Sequence, residues 1–322
     1  MTSHTYLAAL VALTSFLGGL PAAAQDCSDG LRPFEHAAGM TCIPEDPQRI
    51  VTLQDQNALL PLLELGVRPV GSAGHVLPDG STVFRRVDGF DTDGIAFVGS
   101  YRGTDPEAVA ALEPDLIIAS PWPDGSVELY SPIAPTVVID IFDQPLRDAL
   151  HQFADVTNRS ERAEELEAEF DGRVAAIRDA LGDRLDETTI SILSYWGGNP
   201  GIVPAMQSTG LALSAFDPVR AELEVGHESW DPISWEVLGD NPSDVTFVFA
   251  NSDDQVSSID AAVADFLSDP IVQATTVARA DQIVPVASNQ VMGASWGAAT
   301  RMVEALAEGI GREGLNRDLV IE

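Results

Sequence analysis

One phrase occurs twice in this chain: a helix start, an acid, a proline break and an apolar run, at 105–120 and again at 231–249. Each copy opens on Asp-Pro, where Asp can cap free backbone N–H groups and Pro suits the first helical turn. Each places a glutamate within the first two turns, Glu107 and Glu236. Each then breaks at a proline, Pro114 or Pro242, and enters a short apolar stretch that reads as a buried strand. A duplicated helix-to-strand unit implies two similar α/β lobes, each displaying one acidic residue in the same way.

Between the copies lies a helical tract at 146–156 and 160–181. In its second part Ala163, Leu166, Phe170, Val174, Ile177 and Leu181 recur at steps of three and four and mark one buried stripe. Ser160 is expected as its N-cap and Gly182 as its end. At 1.5 Å per residue that helix is about 30 Å long, enough to join two lobes. Strands are expected at 49–53, 67–72, 136–140, 189–195 and 282–286. Helices are expected at 57–65, 211–216, 259–267 and 297–309, and a Gly- and Asp-rich loop at 74–97. The domain reading is a signal peptide at 1–24, a stapled lead-in at 25–47, an N-terminal lobe at 48–158, a connecting helix at 159–182 and a C-terminal lobe at 183–322.

The apolar run from Tyr6 to Leu20 is too short to span a bilayer and ends in Pro21-Ala22-Ala23-Ala24. It reads as a cleavable export signal, which places the mature protein in the periplasm. The only cysteines, Cys27 and Cys42, then read as one disulfide in an oxidising compartment. Gln25-Asp26 before Cys27 makes a poor lipoprotein site. The 322 residues carry 17 basic and 50 acidic side chains, a net charge of −33, and every basic residue is arginine. A field this negative argues against nucleic acid and anionic membrane surfaces as partners. It fits salty surroundings, where screening relieves self-repulsion. The absence of lysine excludes P-loop and Schiff-base chemistry.

No catalytic set assembles from the sequence. Gly293-Ala294-Ser295-Trp296-Gly297 has the pattern of a hydrolase nucleophile elbow, but that fold needs a histidine after the serine, and the last one here is His227. The five histidines are scattered without ligand spacing, so no metal and no cofactor is expected. Asp91-Thr92-Asp93-Gly94 reads as a solvated turn. Aromatic residues in loops carry the stronger signal: Tyr101, Trp122, Tyr195, Trp196, Trp230 and Trp296, with Arg102 beside the first. Ligands of α/β lobes bind beyond the carboxyl ends of strands, and most of these residues follow predicted strands. They point to a cleft for a bulky, partly apolar ligand, with Arg102 available to an anionic group.

The order of several segments carries a family resemblance. They are Pro-Gln-Arg-Ile-Val-Thr-Leu at 47–53, Leu-Leu-Glu-Leu-Gly-Val-Arg-Pro-Val-Gly at 62–71, Val98-Gly99, the first copy of the repeat, the long helix and the second copy. In this order the chain, over about 47–308, resembles the periplasmic binding proteins for ferric siderophores and cobalamin. The resemblance implies two Rossmann-like α/β lobes joined by a single long rigid helix, the class III arrangement, with a small-molecule metal chelate held between them. It also implies docking of a monomer on the ABC permease dimer of the inner membrane through Glu107 and Glu236. Arg102 matches a chelate-binding arginine and Trp122 a pocket aromatic, with Trp196, Trp230 and Trp296 as looser matches. Few basic residues are expected near the cleft, which favours a neutral or weakly charged hydroxamate or mixed citrate chelate of iron(III). Cobalamin and haem are the alternatives, haem through His227 or Tyr195. A periplasmic enzyme on the same scaffold is the alternative of another class.

Overall fold

The computed structural model describes residues 27–122, 126–196, 199–224, 232–234, 243–250, 264, 266–274 and 282–312. Trp230, Glu236, His227 and the leader at 1–24 lie outside the described residues, and Trp196 is described in its backbone alone.

The N-terminal lobe is built on β3 (Ile50–Thr52), β4 (Gly71–Val76), β6 (Ala96–Ser100), β8 (Leu116–Ala119) and β9 (Thr136–Val138). They run parallel, with β7 (Gly103–Thr104) at one edge, in the order β7-β6-β4-β3-β8-β9, and β5 (Thr82–Val83) pairs with β4. Parallel strands are covered on both faces, which is why β3, β8 and β9 are buried at every position. After β3 the chain makes a π-type turn at Asp55–Leu59 and a short helix α1 (Leu60–Glu64), closed by Gly66 at φ +74°. The helix expected at 57–65 is therefore split in two. The strand expected at 67–72 begins only at Gly71: the Val67 N–H turns back to Leu62 O at 2.8 Å, and Pro69 has no donor for a ladder. The expected loop at 74–97 contains the end of β4, all of β5 and the start of β6.

The first copy of the repeat folds as expected. Asp105 accepts from the Glu107 N–H at 2.9 Å and starts α2 (Pro106–Ala111), and β8 follows. Of the second copy the strand is described, as β13 (Val245–Ala250); the helix start expected at Asp231-Pro232 is not seen, because Pro232 bridges Gly201 and the Ile233 N–H donates to Pro200 O at 3.1 Å, and residues 235–242 lie outside the described residues.

From β9 the chain passes through α4 (Leu146–Val156) into the long α5 (Ser160–Leu181), which ends at Gly182 with φ +54°; α3 (Ser126–Tyr130) precedes β9. Ser160 is the first residue inside α5, and its N-cap is Arg159, with no side-chain cap bond. The C-terminal lobe opens with the single turn α6 (Arg184–Glu187) and holds β10 (Thr189–Trp196), β11 (Asn199–Ile202), β12 (Val219–Arg220), β13 and β14 (Ile283–Ala287). Its order is β11-β10-β13-β14, with β12 beside β10 and only β11 antiparallel. Helices α7 (Gln207–Phe216) and α8 (Trp296–Ile310) pack on it. At Gly309 an added Cβ would meet Phe247 Cζ at 2.4 Å, so glycine sets how closely α8 lies on the sheet.

One apolar cluster runs through both lobes. It joins Leu116 and Ile118 to Phe153 and Phe170, and these to Phe216, Phe247 and Trp296. The stripe on α5 supplies its middle through Ala163, Phe170 and Val174, with Leu166, Ile177 and Leu181 at its margin.

Cys27 and Cys42 form the expected disulfide and tie down a hairpin of β1 (Leu31–His36) and β2 (Gly39–Pro44). The hairpin covers the edge of β9: the Ala37 N–H donates to Val138 O at 3.0 Å, and the Val138 N–H donates to His36 Nδ1 at 3.3 Å. Nδ1 also accepts from the Ala38 N–H, so the proton of the neutral ring belongs on Nε2, which donates to Thr41 Oγ1 at 2.8 Å. Burial pushes the His36 pKa down. Covering a sheet edge in this way removes a site for strand-to-strand aggregation. Among the described residues no helix is long and apolar enough to cross a membrane.

Candidate functional site

Parallel pairing puts the carboxyl ends of β6, β4, β3, β8 and β9 on one edge of the N-terminal sheet, and the loops that follow form its rim. Tyr101 follows β6. Its N–H donates to Gly74 O at 2.7 Å and its ring is 7% exposed. The ring is surrounded. His75 and Trp122 each approach with ring centroids 5.8 Å away, and the Arg102 Nε–H donates to the Tyr101 hydroxyl at 2.8 Å. Trp122, in the loop after β8, is 48% exposed and is the large apolar face this cluster presents outward. Its backbone is fixed by Ser120 Oγ, which donates to Trp122 O at 2.6 Å.

Two arginines absent from the expected set complete the rim. The Arg85 guanidinium lies 3.7 Å from the centroid of Tyr101. Asp55, fully buried after β3, holds it there: Oδ1 accepts from Nη2 at 2.5 Å, and Oδ2 from Nε and from the Arg85 N–H at 2.9 Å each. Arg86 adopts φ +64° and turns toward the other lobe, donating through Nη1 to Ser288 O at 2.5 Å and through Nε to Gln56 Oε1. Burial and the neighbouring Arg85 push its pKa down to about 10, so it stays a cation at neutral pH. The expectation of few basic residues near the cleft is thus corrected: three arginines meet here, with Arg85 neutralised by Asp55. The sequence did hold a signal, since Arg85-Arg86 is the only adjacent basic pair in the chain. Beside them, Gln54 Nε2 and Asn57 Oδ1 are buried polar atoms with no hydrogen-bond partner among the described residues.

At the β9 end of the same edge a cavity of about 420 Å³ opens between the lobes. Ile141 and Phe142 line it from the loop after β9 and Leu146 from the start of α4, with Met206, Gln207 and Leu211 at the start of α7 facing them. Its volume falls in the small-molecule range of roughly 300–1,000 Å³.

The remaining candidates separate. Tyr195, at the end of β10, is 8% exposed and packs edge-on against Phe266 at 5.3 Å, inside the C-terminal core rather than on an open cleft wall. Trp296 is likewise not a loop residue. Ser295 caps α8, Trp296 becomes its first residue, and the indole, 2% exposed, is buried against Phe170 of α5 at 5.8 Å and beneath Arg147 at 5.2 Å. Ser295 itself is fully buried, bonded to Glu64 Oε1 and to the Ala298 N–H, so the elbow-like motif presents no accessible nucleophile. Glu107 is exposed in the first turn of α2. Among the described residues there is no cluster of three metal-ligating side chains.

Comparison with known proteins agrees with this architecture. The family model for periplasmic binding proteins matches residues 78–289. The chain is 29% identical over 231 residues to the probable siderophore-binding lipoprotein YfiY of Bacillus subtilis (strain 168), covering 69% of this chain and 70% of that protein. It is 29% identical over 172 residues to the iron(3+)-hydroxamate-binding protein FhuD of the same organism, about half of each chain at 53% and 52%. Among solved structures, Staphylococcus aureus SirA complexed with staphyloferrin B superposes with a TM-score of 0.71 at 23% identity, over 87% of this chain and 98% of that one. The siderophore-binding protein BauB, bound to two acinetobactin molecules and ferric iron, gives 0.70 at 22% identity over 87% and 98%. At these identities the structural likeness establishes the fold, two α/β lobes joined by a long helix as expected.

Proposed function

The chain belongs to the periplasmic binding protein family, and we propose that it captures an iron(III)–siderophore between its lobes and delivers it to an ABC permease. The observation that carries this reading is the rim at Tyr101. An exposed Trp122 face and Arg102 stand together on Tyr101 at the carboxyl ends of the strands, and an inter-lobe cavity opens at the β9 end of the same sheet edge. A chelate offers flat or greasy ligand arms to an aromatic face and oxygen anions to a guanidinium. The same reading makes the protein a carrier rather than an enzyme.

Charge at the rim narrows the ligand. Arg85 is neutralised by Asp55, Arg86 is committed to the inter-lobe seam, and Arg102, exposed, is held on the Tyr101 hydroxyl. That balance suits a weakly anionic hydroxamate or mixed citrate chelate better than a highly anionic tris-catecholate. The names of two relatives, one siderophore-binding and one iron(3+)-hydroxamate-binding, support the same class.

Delivery is assigned to Glu107 on the N-terminal lobe and Glu236 on the C-terminal lobe, each facing an arginine of one permease subunit. In the first turn of α2 the Glu107 carboxylate is held as an anion by the helix dipole, and either carboxylate pairs well with arginine. Residues 1–24 act as the export signal, 48–158 and 183–322 as the lobes, and the monomer works in the periplasm. Some relatives are named lipoproteins; here the Cys27 sulfur is bonded to Cys42 and is not open to a lipid.

The test is calorimetric titration of the mature protein with ferric hydroxamate, ferric citrate-type, ferric catecholate, cobalamin and haem. Saturable binding at micromolar or tighter Kd, strongest for the first two, is expected. Binding of cobalamin or haem alone would replace the ligand assignment, and no binding by any of them would overturn the reading.

A further inference from the structure

Segments from opposite lobes meet at Glu64, the last residue of α1. Its Oε1 accepts from Ser295 Oγ at 2.6 Å and from the Gly297 N–H at 2.8 Å; its Oε2 accepts from the Trp296 N–H at 3.0 Å. Ser295 Oγ in turn accepts from the Ala298 N–H at 2.9 Å. The first three N–H groups of α8, which have no partner inside the helix, are thereby all satisfied. Two of the three are satisfied by a carboxylate that lies more than 230 positions earlier in the chain, on the other lobe. Helices usually draw this acid from their own first turn; α8 has none there.

The surrounding residues are fitted to the same contact. The Ala294 N–H donates to Gln56 O at 3.1 Å, and Arg86 reaches Ser288 O. Gly293 sits at φ +109°, and a Cβ there would meet Leu60 Cδ2 at 3.0 Å and Gln56 O at 3.1 Å. A Cβ at residue 297 would meet Glu64 Oε1 at 2.8 Å. Each position of Gly293-Ala294-Ser295-Trp296-Gly297 thus has a use at the seam. The glycines clear space for α1 and its carboxylate, Ala294 donates its N–H, the serine caps, and the tryptophan packs under α5. Burial pushes the Glu64 carboxyl pKa up, while the three donors and Arg301 oppose it.

We propose that Glu64 is a positioning residue that sets the relative orientation of the two lobes, acting on the cleft through the N-terminus of α8. It touches no ligand in this role. The helix dipole and three donors make the carboxylate specific for this seat. In Glu64→Gln at least one N–H must face an amide NH₂, and in Glu64→Ala all three donors lose their acceptor.

The test uses spin labels at Ala110→Cys on α2 and Glu308→Cys on α8, both exposed positions on opposite lobes; the native cysteines are paired with each other. Pulsed electron spin resonance then reads the inter-lobe distance distribution without ligand, so the result is independent of the siderophore assignment. The parent should give one narrow distribution. Glu64→Gln should broaden or shift it, Glu64→Ala more so, and emission assigned to Trp296 by a Trp296→Phe control should move to longer wavelength. Should Glu64→Ala fail to fold, Glu64→Gln carries the test. An unchanged distribution in a cooperatively folded Glu64→Gln would reduce Glu64 to an ordinary helix cap and overturn the proposal.

Discussion

Removing the Asp55 carboxylate tests how the rim manages its charge. Asp55 is fully buried and the Arg85 side chain is 11% exposed. The carboxylate accepts four hydrogen bonds, three from Arg85 and one from the Gln56 N–H at 2.9 Å. In Asp55→Ala the Arg85 guanidinium is left without a counter-charge next to Arg86. Breaking a buried pair from one side costs about 3–5 kcal/mol, against about 0–1 kcal/mol for an exposed pair. The Tyr101 ring, 3.7 Å from the guanidinium, returns at most about 2 kcal/mol. A net loss of about 1–3 kcal/mol follows (3 − 2 to 5 − 2), and the single arginine variant should lose less. In Arg85→Ala, Asp55 keeps the N–H groups of residues 56 and 85 and stays near Arg86. The double variant should be more stable than the sum of the singles, by a coupling of roughly 0.5–3 kcal/mol. Urea unfolding followed by circular dichroism gives these values by linear extrapolation. If Asp55→Ala stays within about 0.5 kcal/mol of the parent, or the two changes simply add, the pair is not the buried neutral unit described, and the argument from rim charge to ligand class fails.

Trp122 and Trp296 should respond in opposite ways: Trp122→Ala should leave stability within about 0.5 kcal/mol and weaken ligand binding at least tenfold, while Trp296→Ala should cost about 3–5 kcal/mol of stability. Paired denaturation and titration curves check both. His36 has a lowered pKa in the folded state, so its contribution is complete above the unfolded value near 6.5 and is lost as pH falls through the folded value. Thermal stability should therefore drop more from pH 7 to pH 5 in the parent than in a folded His36→Gln variant, with earlier exchange of the Val138 amide; equal slopes would exclude His36 as the source. The disulfide closes a separation of 15 residues, so Cys27→Ser with Cys42→Ser should lower stability by about 3 kcal/mol, read by urea unfolding.

Features written in local periodicity could be read from the sequence, and those made by long-range contact could not. The stripe on α5, the Asp105 cap and the strand at Leu116–Ala119 depend on neighbours a few residues away. Arg85 and Arg86 lie in a Gly- and Asp-rich stretch that reads as solvated loop. They reach the rim because Asp55 and Gln56, 30 positions earlier, bind them. Trp296, flanked by Ala294-Ser295 and Gly297, looks like a loop aromatic until Ser295 is recognised as the cap of α8. Glu64 belongs to a Leu-Leu-Glu-Leu-Gly segment and looks like an ordinary helix acid; its seat is supplied by the opposite lobe. The strand after α1 starts four residues later than its apolar pattern predicts (71 − 67), because Val67 and Val70 are apolar enough for a strand while the backbone bond to Leu62 and Pro69 delay the ladder.

The most direct measurement of the central claim is a tryptophan-fluorescence titration with a ferric hydroxamate, comparing the parent with Trp122→Phe and Arg102→Ala. Saturable quenching by the ferric complex is predicted, much reduced in amplitude in Trp122→Phe and shifted to weaker affinity in Arg102→Ala. Unchanged amplitude and affinity in both variants would contradict a chelate held at the Tyr101 rim.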